Sequence, residues 1–240
     1  MTAISEREIR QQIRRHLLLL RESGVTALRL PRPPASRTAV DPAGVARRSE
    51  RGDPDGELAA LRAEIGDCTR CRLCQGRTHL VFGTGSPRAR LMFVGEGPGF
   101  EEDRQGIPFV GRAGQLLNRI LEAMRMRRED VYIANVVKCR PPENRAPLPD
   151  ESATCLPFLM RQIEIIRPRV VCGLGGVAVQ ALLNRTVSIS RIRGTIQTLP
   201  DGTLLMPTFH PAYLLRNPEK KKEVWEDMKK VRDYLSEAKA

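Results

Sequence analysis

Residues Leu91 to Leu117, LMFVGEGPGFEEDRQGIPFVGRAGQLL, constrain the fold of this chain more than any other stretch. The apolar run Leu91 to Val94 has the length and composition of a buried strand. Gly95, Gly97, Pro98 and Gly99 then break the run, so the backbone must turn sharply. A helix is expected to start near Gly111 to Ala113. Strand, glycine turn and helix is the arrangement by which open α/β sheets present a ligand crevice at the carboxyl ends of their strands. The turn contains no GxGxxG and no GKS or GKT. It also carries four carboxylates, Glu96, Glu101, Glu102 and Asp103, where a phosphate cradle would repel its ligand. The loop therefore suits a neutral, hydrogen-bonding ligand beside a reactive carboxylate.

The remaining pattern extends this unit. A helix opens near Leu58 and runs to about Ile65. Leu116, Leu117, Ile120, Leu121 and Met124 share one face of the helix that follows the glycine turn. Val131 to Val137 and Val170 to Leu174 read as further strands, and Ser152 to Ile166 as a helix stopped by Pro168. Gly175-Gly176 leads into a helix to about Leu183. Ile192 to Thr198 and Thr203 to Pro207 read as strands around an Asp201-Gly202 turn. Lys220 to Ala238 is a terminal helix whose stripe is Val224, Met228, Val231 and Leu235. Strands alternating with helices predict a mostly parallel sheet covered on both faces. Residues 1–57 fall outside this pattern. The spacing of Ile9, Ile13 and Leu17 predicts a short amphipathic helix, followed by a Pro- and Arg-rich stretch with almost no large apolar residues. That composition reads as a flexible extension, with a replication or repair protein as its conceivable partner.

Lys plus Arg total 40 against 28 acidic residues, and residues 58–240 retain 29 against 20. The excess belongs mainly to the folded part, where it fits either a solvated surface or a polyanion such as nucleic acid. No apolar run approaches a membrane span, and the run Leu17 to Leu20 is too short for a secretory signal. A cytoplasmic, nucleoid-associated protein is expected, with cysteines reduced and available as metal ligands.

Cys68, Cys71 and Cys74 form CxxCxxC, while Cys139 and Cys155 lie far downstream. Four thiolates from this set would bind zinc or a [4Fe–4S] cluster; the spacing does not choose the metal, and it leaves Cys74 as a competing ligand. Cys172 lies inside an apolar strand and reads as core. His210 stands at a strand's carboxyl end before Pro211. Asn135 places an amide inside the otherwise apolar run Ile133 to Val137, as a satisfied structural group or as a reader of a ligand's hydrogen-bonding edge. Phe109 is either core or a platform for a planar ligand. Leu214, Leu215 and Arg216 read as a loop bearing an apolar wedge of the kind that unstacks bases, or as a helix start.

Taken together, GEGPGFEED (Gly95 to Asp103), GIPFVGRAGQLLNRIL (Gly106 to Leu121), YIANVVKCRPPENRAPLPDE (Tyr132 to Glu151) and FHPAYLLRNP (Phe209 to Pro218) resemble the family 4, iron–sulfur-containing uracil-DNA glycosylases. The resemblance covers roughly residues 58 to 235. It implies a three-layer αβα architecture with a central four-stranded, mostly parallel sheet. It also implies a structural [4Fe–4S] cluster held by Cys68, Cys71, Cys139 and Cys155.

By the same resemblance, Asn135 reads the Watson–Crick edge of a flipped uracil and Phe109 stacks on its ring. Glu96 and the Gly97 backbone line the pocket, with Glu96 crowding carbon 5, where thymine carries its methyl. His210 donates to uracil O2, and Glu102 is the implied base for water. Leu214, Leu215 and Arg216 belong to the segment that enters the DNA. Phe100 departs from the pattern, standing where the family often carries an acid. The expected activity is excision of uracil from DNA by a monomer, the first step of base-excision repair. The competing reading is a catalytically silent iron–sulfur or zinc DNA-binding module of a repair or replication assembly. Retention of Glu96, Phe109, Asn135 and His210 together favours the enzyme.

Overall fold

The computed structural model describes residues 52–236. The expected N-terminal extension therefore lies, up to residue 51, outside the described residues, as do residues 237–240.

The first described helix, α1 (Pro54–Ile65), opens at Pro54 rather than at Leu58. Pro suits this position because its missing N–H would have no helical partner there. A two-residue strand β1 (Thr84–Gly85), strand β2 (Leu91–Gly95), helix α2 (Phe100–Gln105) and helix α3 (Arg112–Ala123) follow. Next come β3 (Tyr132–Asn135), α4 (Pro149–Ile166), β4 (Val170–Leu174), α5 (Gly176–Leu183) and a single turn of helix, α6 (Ile189–Ile192). Strands β5 (Gln197–Thr198) and β6 (Leu204–Thr208) precede α7 (Pro211–Arg216) and the terminal α8 (Lys221–Ser236).

The six strands form one sheet in the order β1-β3-β2-β4-β6-β5. The four inner strands β3, β2, β4 and β6 are mutually parallel. The sheet is thus wider than the four strands expected, because β1 and β5 each add an antiparallel edge of two residues. β2 is buried along its whole length, as a strand covered on both faces must be. Its side chains alternate between two cores. Met92 and Val94 face Leu159, Ile163, Val179 and Leu182 of α4 and α5. Leu91 and Phe93 face Leu117 and Leu121 of α3 and Val224, Met228 and Val231 of α8. This is the three-layer αβα arrangement.

Other differences are local. The expected strand over Val131 to Val137 is β3 at its centre. Beyond it, Val136 and Val137 still donate to the carbonyls of Gly95 and Glu96, at 2.9 and 3.1 Å. Ile192, expected in a strand, ends α6 instead. The acidic run after Gly99 is helical, and the segment carrying Leu214 and Leu215 is helix α7 rather than a loop.

Candidate active site

From β2 the chain winds to β3 on one side and continues to β4 and β6 on the other, which opens a crevice at the carboxyl ends of the inner strands. Glu96 follows β2, Asn135 ends β3 and His210 follows β6, so three distant segments deliver their polar groups to one place. They line a cavity of about 400 Å³ together with Gly97, Glu102, Phe109, Pro141, Asn144, Arg145, Tyr213 and Arg216.

Asn135 is 1% exposed, and neither its Oδ1 nor its Nδ2 has a hydrogen-bond partner. A buried amide normally satisfies both groups, and leaving one unpaired costs about 1–3 kcal/mol. Here the chain holds a donor and an acceptor side by side, unpaired, in a cavity wall.

The neighbouring backbone enforces this placement. Asn135 pairs in register with Gly95, and a Cβ on Gly95 would stand 2.5 Å from Asn135 Oδ1 and 2.6 Å from the Phe109 ring. Only glycine lets the amide and the ring converge over the end of β2. Phe109 itself has φ +54°, a conformation a bulky side chain rarely adopts. Two side chains hold it there. Glu102 Oε1 accepts from Val110 N at 3.0 Å and Gly111 N at 2.9 Å. Arg128 Nη1 donates to Phe109 O at 3.0 Å and to Asn118 Oδ1 at 3.1 Å, while its Nη2 donates to Pro108 O.

His210 lies with its ring centroid 5.5 Å from that of Phe109. Burial, aided by the positive charge of Arg216, pushes its pKa down to about 4, so the imidazole is neutral near pH 7. Its Nδ1 accepts the N–H of Ala212 at 3.1 Å at the start of α7. A neutral imidazole that accepts at Nδ1 carries its proton on Nε2, so His210 is a fixed neutral donor. Glu96 lines the same cavity with its pKa raised by burial.

Of the wedge residues, Leu214 is 1% exposed and packs into the core, whereas Leu215 is half-buried and Arg216 exposed. Burial leaves Leu214 as the anchor of α7 and puts Arg216 at the cavity mouth.

Cys68, Cys71, Cys139 and Cys155 line a second, apolar cavity with Ile65, Leu73, Leu80, Val137 and Phe158; Cys74 is not in its wall. Cys172 is buried in the core, as expected. Among the described residues, no three His, Cys, Asp or Glu side chains stand close enough together to hold a single metal ion. The donor set is thus four thiols spread around one apolar space, with cations beside them. Arg77 Nη1 lies 3.3 Å from Cys139 Sγ and Arg70 Nη1 lies 3.4 Å from Cys68 Sγ. The buried Lys138 ammonium donates to Asn135 O at 2.9 Å and Gln162 Oε1 at 2.6 Å; burial raises the pKa of the Cys155 thiol, and the Lys138 charge opposes that rise only in part. Four soft ligands ringed by positive charge fit an anionic iron–sulfur cluster.

Residues 82–229 match the model of the Uracil DNA glycosylase superfamily. The chain belongs to that superfamily. Within this glycosylase superfamily, the Type-4 uracil-DNA glycosylase of Thermotoga maritima is 50% identical over 183 residues, covering 75% of this chain and 95% of that protein. The Type-4 uracil-DNA glycosylase of Saccharolobus solfataricus is 44% identical over 187 residues, covering 75% and 87%. The Type-5 uracil-DNA glycosylase of Thermus thermophilus is 30% identical over 175 residues, covering 64% and 78%.

Sequence patterns did not point to two residues that shape this cavity. Arg128 reaches the Phe109 loop from beyond α3, a contact no local pattern encodes. Arg145 is held at the cavity by two bonds to Glu151, at 2.7 and 2.8 Å. The only signal was an acid, Glu151, placed to start a helix, where it also accepts from Leu148 N at 2.7 Å.

Proposed function

We propose that this chain is a uracil-DNA glycosylase that hydrolyses the N-glycosidic bond of uracil flipped out of DNA and leaves an abasic site. The observation that carries the reading is the orphaned amide of Asn135. Its acceptor suits uracil N3–H and its donor suits O4, so the base supplies both missing partners at once.

In this reading the base slides over Phe109 and meets Asn135 at its Watson–Crick edge. Glu96 lies near carbon 5 and leaves no room for a methyl group. Bond cleavage builds positive charge on the sugar and negative charge on the departing uracil. His210 answers the second with its Nε2–H, a donor already neutral, oriented and partly removed from water. A neutral donor stabilises the anion without first having to lose a competing proton. Glu102 keeps Oε1 bound to the Val110 and Gly111 amides, which leaves Oε2 as the acceptor for a proton from attacking water. Arg216 and Leu215 of α7 reach toward the strand from which the base has left, with Leu214 fixing the helix from below.

Cys68, Cys71, Cys139 and Cys155 would hold a [4Fe–4S] cluster, which supplies cross-linking of the chain rather than reaction chemistry. Its ligands tie the segment after α1 to the end of β3 and to α4, and Cys139 lies close in sequence to Asn135. The basic surface meets DNA phosphates without reading sequence. No helix among the described residues is long and apolar enough to cross a membrane. The protein acts as a monomer in the cytoplasm, at the nucleoid, and its N-terminal extension engages a repair or replication partner.

The test is excision from a uracil-containing oligonucleotide, read as strand cleavage after alkali. Wild type should cleave, while His210→Ala and Asn135→Ala should each lose about a hundredfold or more in excision and keep non-specific DNA affinity. Equal loss of DNA binding in both variants would contradict these roles.

A further inference from the structure

We propose that Phe100 and Arg140 form a stacking platform for the nucleobase next to the excised uracil in single-stranded DNA. The inference rests on the glycosylase reading and extends it to a second subsite.

Phe100 is 57% exposed, the most exposed large hydrophobic side chain among the described residues. Such exposure takes it out of the core, and its position in the chain sets it next to the cavity. It opens α2 directly after Gly99, which lines the cavity. The Arg140 guanidinium carbon lies 5.1 Å from the centre of the Phe100 ring. Arg140 is pinned in turn, because its Nε donates to Asn144 Oδ1 at 2.8 Å. Asn144 and Pro141, the residue after Arg140, both line the cavity. The ring is thus braced from the β3 side while standing on the β2 side, and the pair stands beside the cavity, flanked by its lining residues Gly99, Pro141 and Asn144.

An aromatic face with a cation at one side is how proteins bind single-stranded nucleic acid without reading sequence, since every base has a π-face. In a duplex the neighbouring base already stacks on its own helix, so the platform favours unpaired strands. Arg140 also offers charge to the adjacent phosphate.

The full-length protein is tested on single-stranded oligonucleotides with one uracil, flanked on each side by a normal nucleotide or by a tetrahydrofuran abasic residue. Phe100→Ala should raise KM on the normal oligonucleotide about tenfold, and Phe100→Trp should restore it. The penalty should shrink to about twofold or less when the stacking base is missing, and it should be smaller on duplex DNA. Melting temperature should match wild type. An unchanged KM overturns the platform, as does an equal loss with abasic flanks or a loss accompanied by a lowered melting temperature. If wild type itself excises no uracil, the glycosylase reading fails instead, and the two failures are distinguishable.

Discussion

Replacing Asn135 by leucine should make the protein more stable and its chemistry far worse. In the free protein the Asn135 amide is buried with both polar atoms unpaired. Each such group costs about 1–3 kcal/mol. Leucine keeps the branched shape and removes both polar atoms, so after modest overpacking the gain should be about 2 kcal/mol. In a domain of this size each kcal/mol moves the melting midpoint by about 2–4 °C, which predicts a rise of about 4–8 °C. Uracil would meanwhile lose both hydrogen bonds at its reading edge, and its own N3–H and O4 would be left unpaired. Excision should fall by about a thousandfold or more. Thermal unfolding followed by circular dichroism gives the first quantity, and alkaline cleavage of a uracil oligonucleotide under single-turnover conditions gives the second. A lower melting temperature would refute the claim that the amide waits unpaired for the base. So would excision within about tenfold of wild type.

Three further outcomes are expected. The acid limb of kcat/KM should lie near the His210 pKa of about 4 and well below the usual 6.5. Because the folded protein resists protonation of this group, stability should also decline as pH falls from 6.5 toward 4, and a pH–rate limb centred near 6.5 would contradict both. Gly95→Ala should drive a Cβ against Asn135 and Phe109, lowering excision about a hundredfold while the protein still folds, as circular dichroism would report. Cys139→Ser should lower bound iron and acid-labile sulfide by direct chemical assay, and stoichiometric zinc without sulfide in wild type would overturn the cluster.

The centre of this protein was legible in its sequence because its signals are local. β2 is an apolar run buried on both faces, and such a strand needs no partner pattern to be recognised. The glycines at its end announced a sharp turn, and Gly95, the last residue of β2, is also where Asn135 and Phe109 approach the strand closely. The edges were less legible. The two-residue strand β1 carries no periodicity and was not expected, while β5 is only the end of the strand expected over Ile192 to Thr198.

The acidic run at Glu101 to Asp103 hid a helix because its carboxylates suit a helix's first turn as well as a loop. Asp103 is buried, accepting from Thr78 N at 2.9 Å, and so braces the turn rather than facing the cavity. Leu214 looked like an exposed wedge because two adjacent leucines give no clue to which of them faces inward; α7 packs Leu214 down and leaves Leu215 nearer the surface. Arg128 was invisible because its role depends on the folded path of residues between it and Pro108. The Phe109 backbone at φ +54° was equally hidden, being imposed by Glu102 and Arg128 rather than by phenylalanine's own preference.

The most direct test of the central claim is the release of free base. Purified protein, with its iron and sulfide content determined, is incubated with matched oligonucleotides containing one uracil or one thymine, and the small-molecule product is measured by mass spectrometry. Stoichiometric uracil from the first, with an intact sugar–phosphate strand, and no thymine from the second is the predicted result. No released uracil would contradict it.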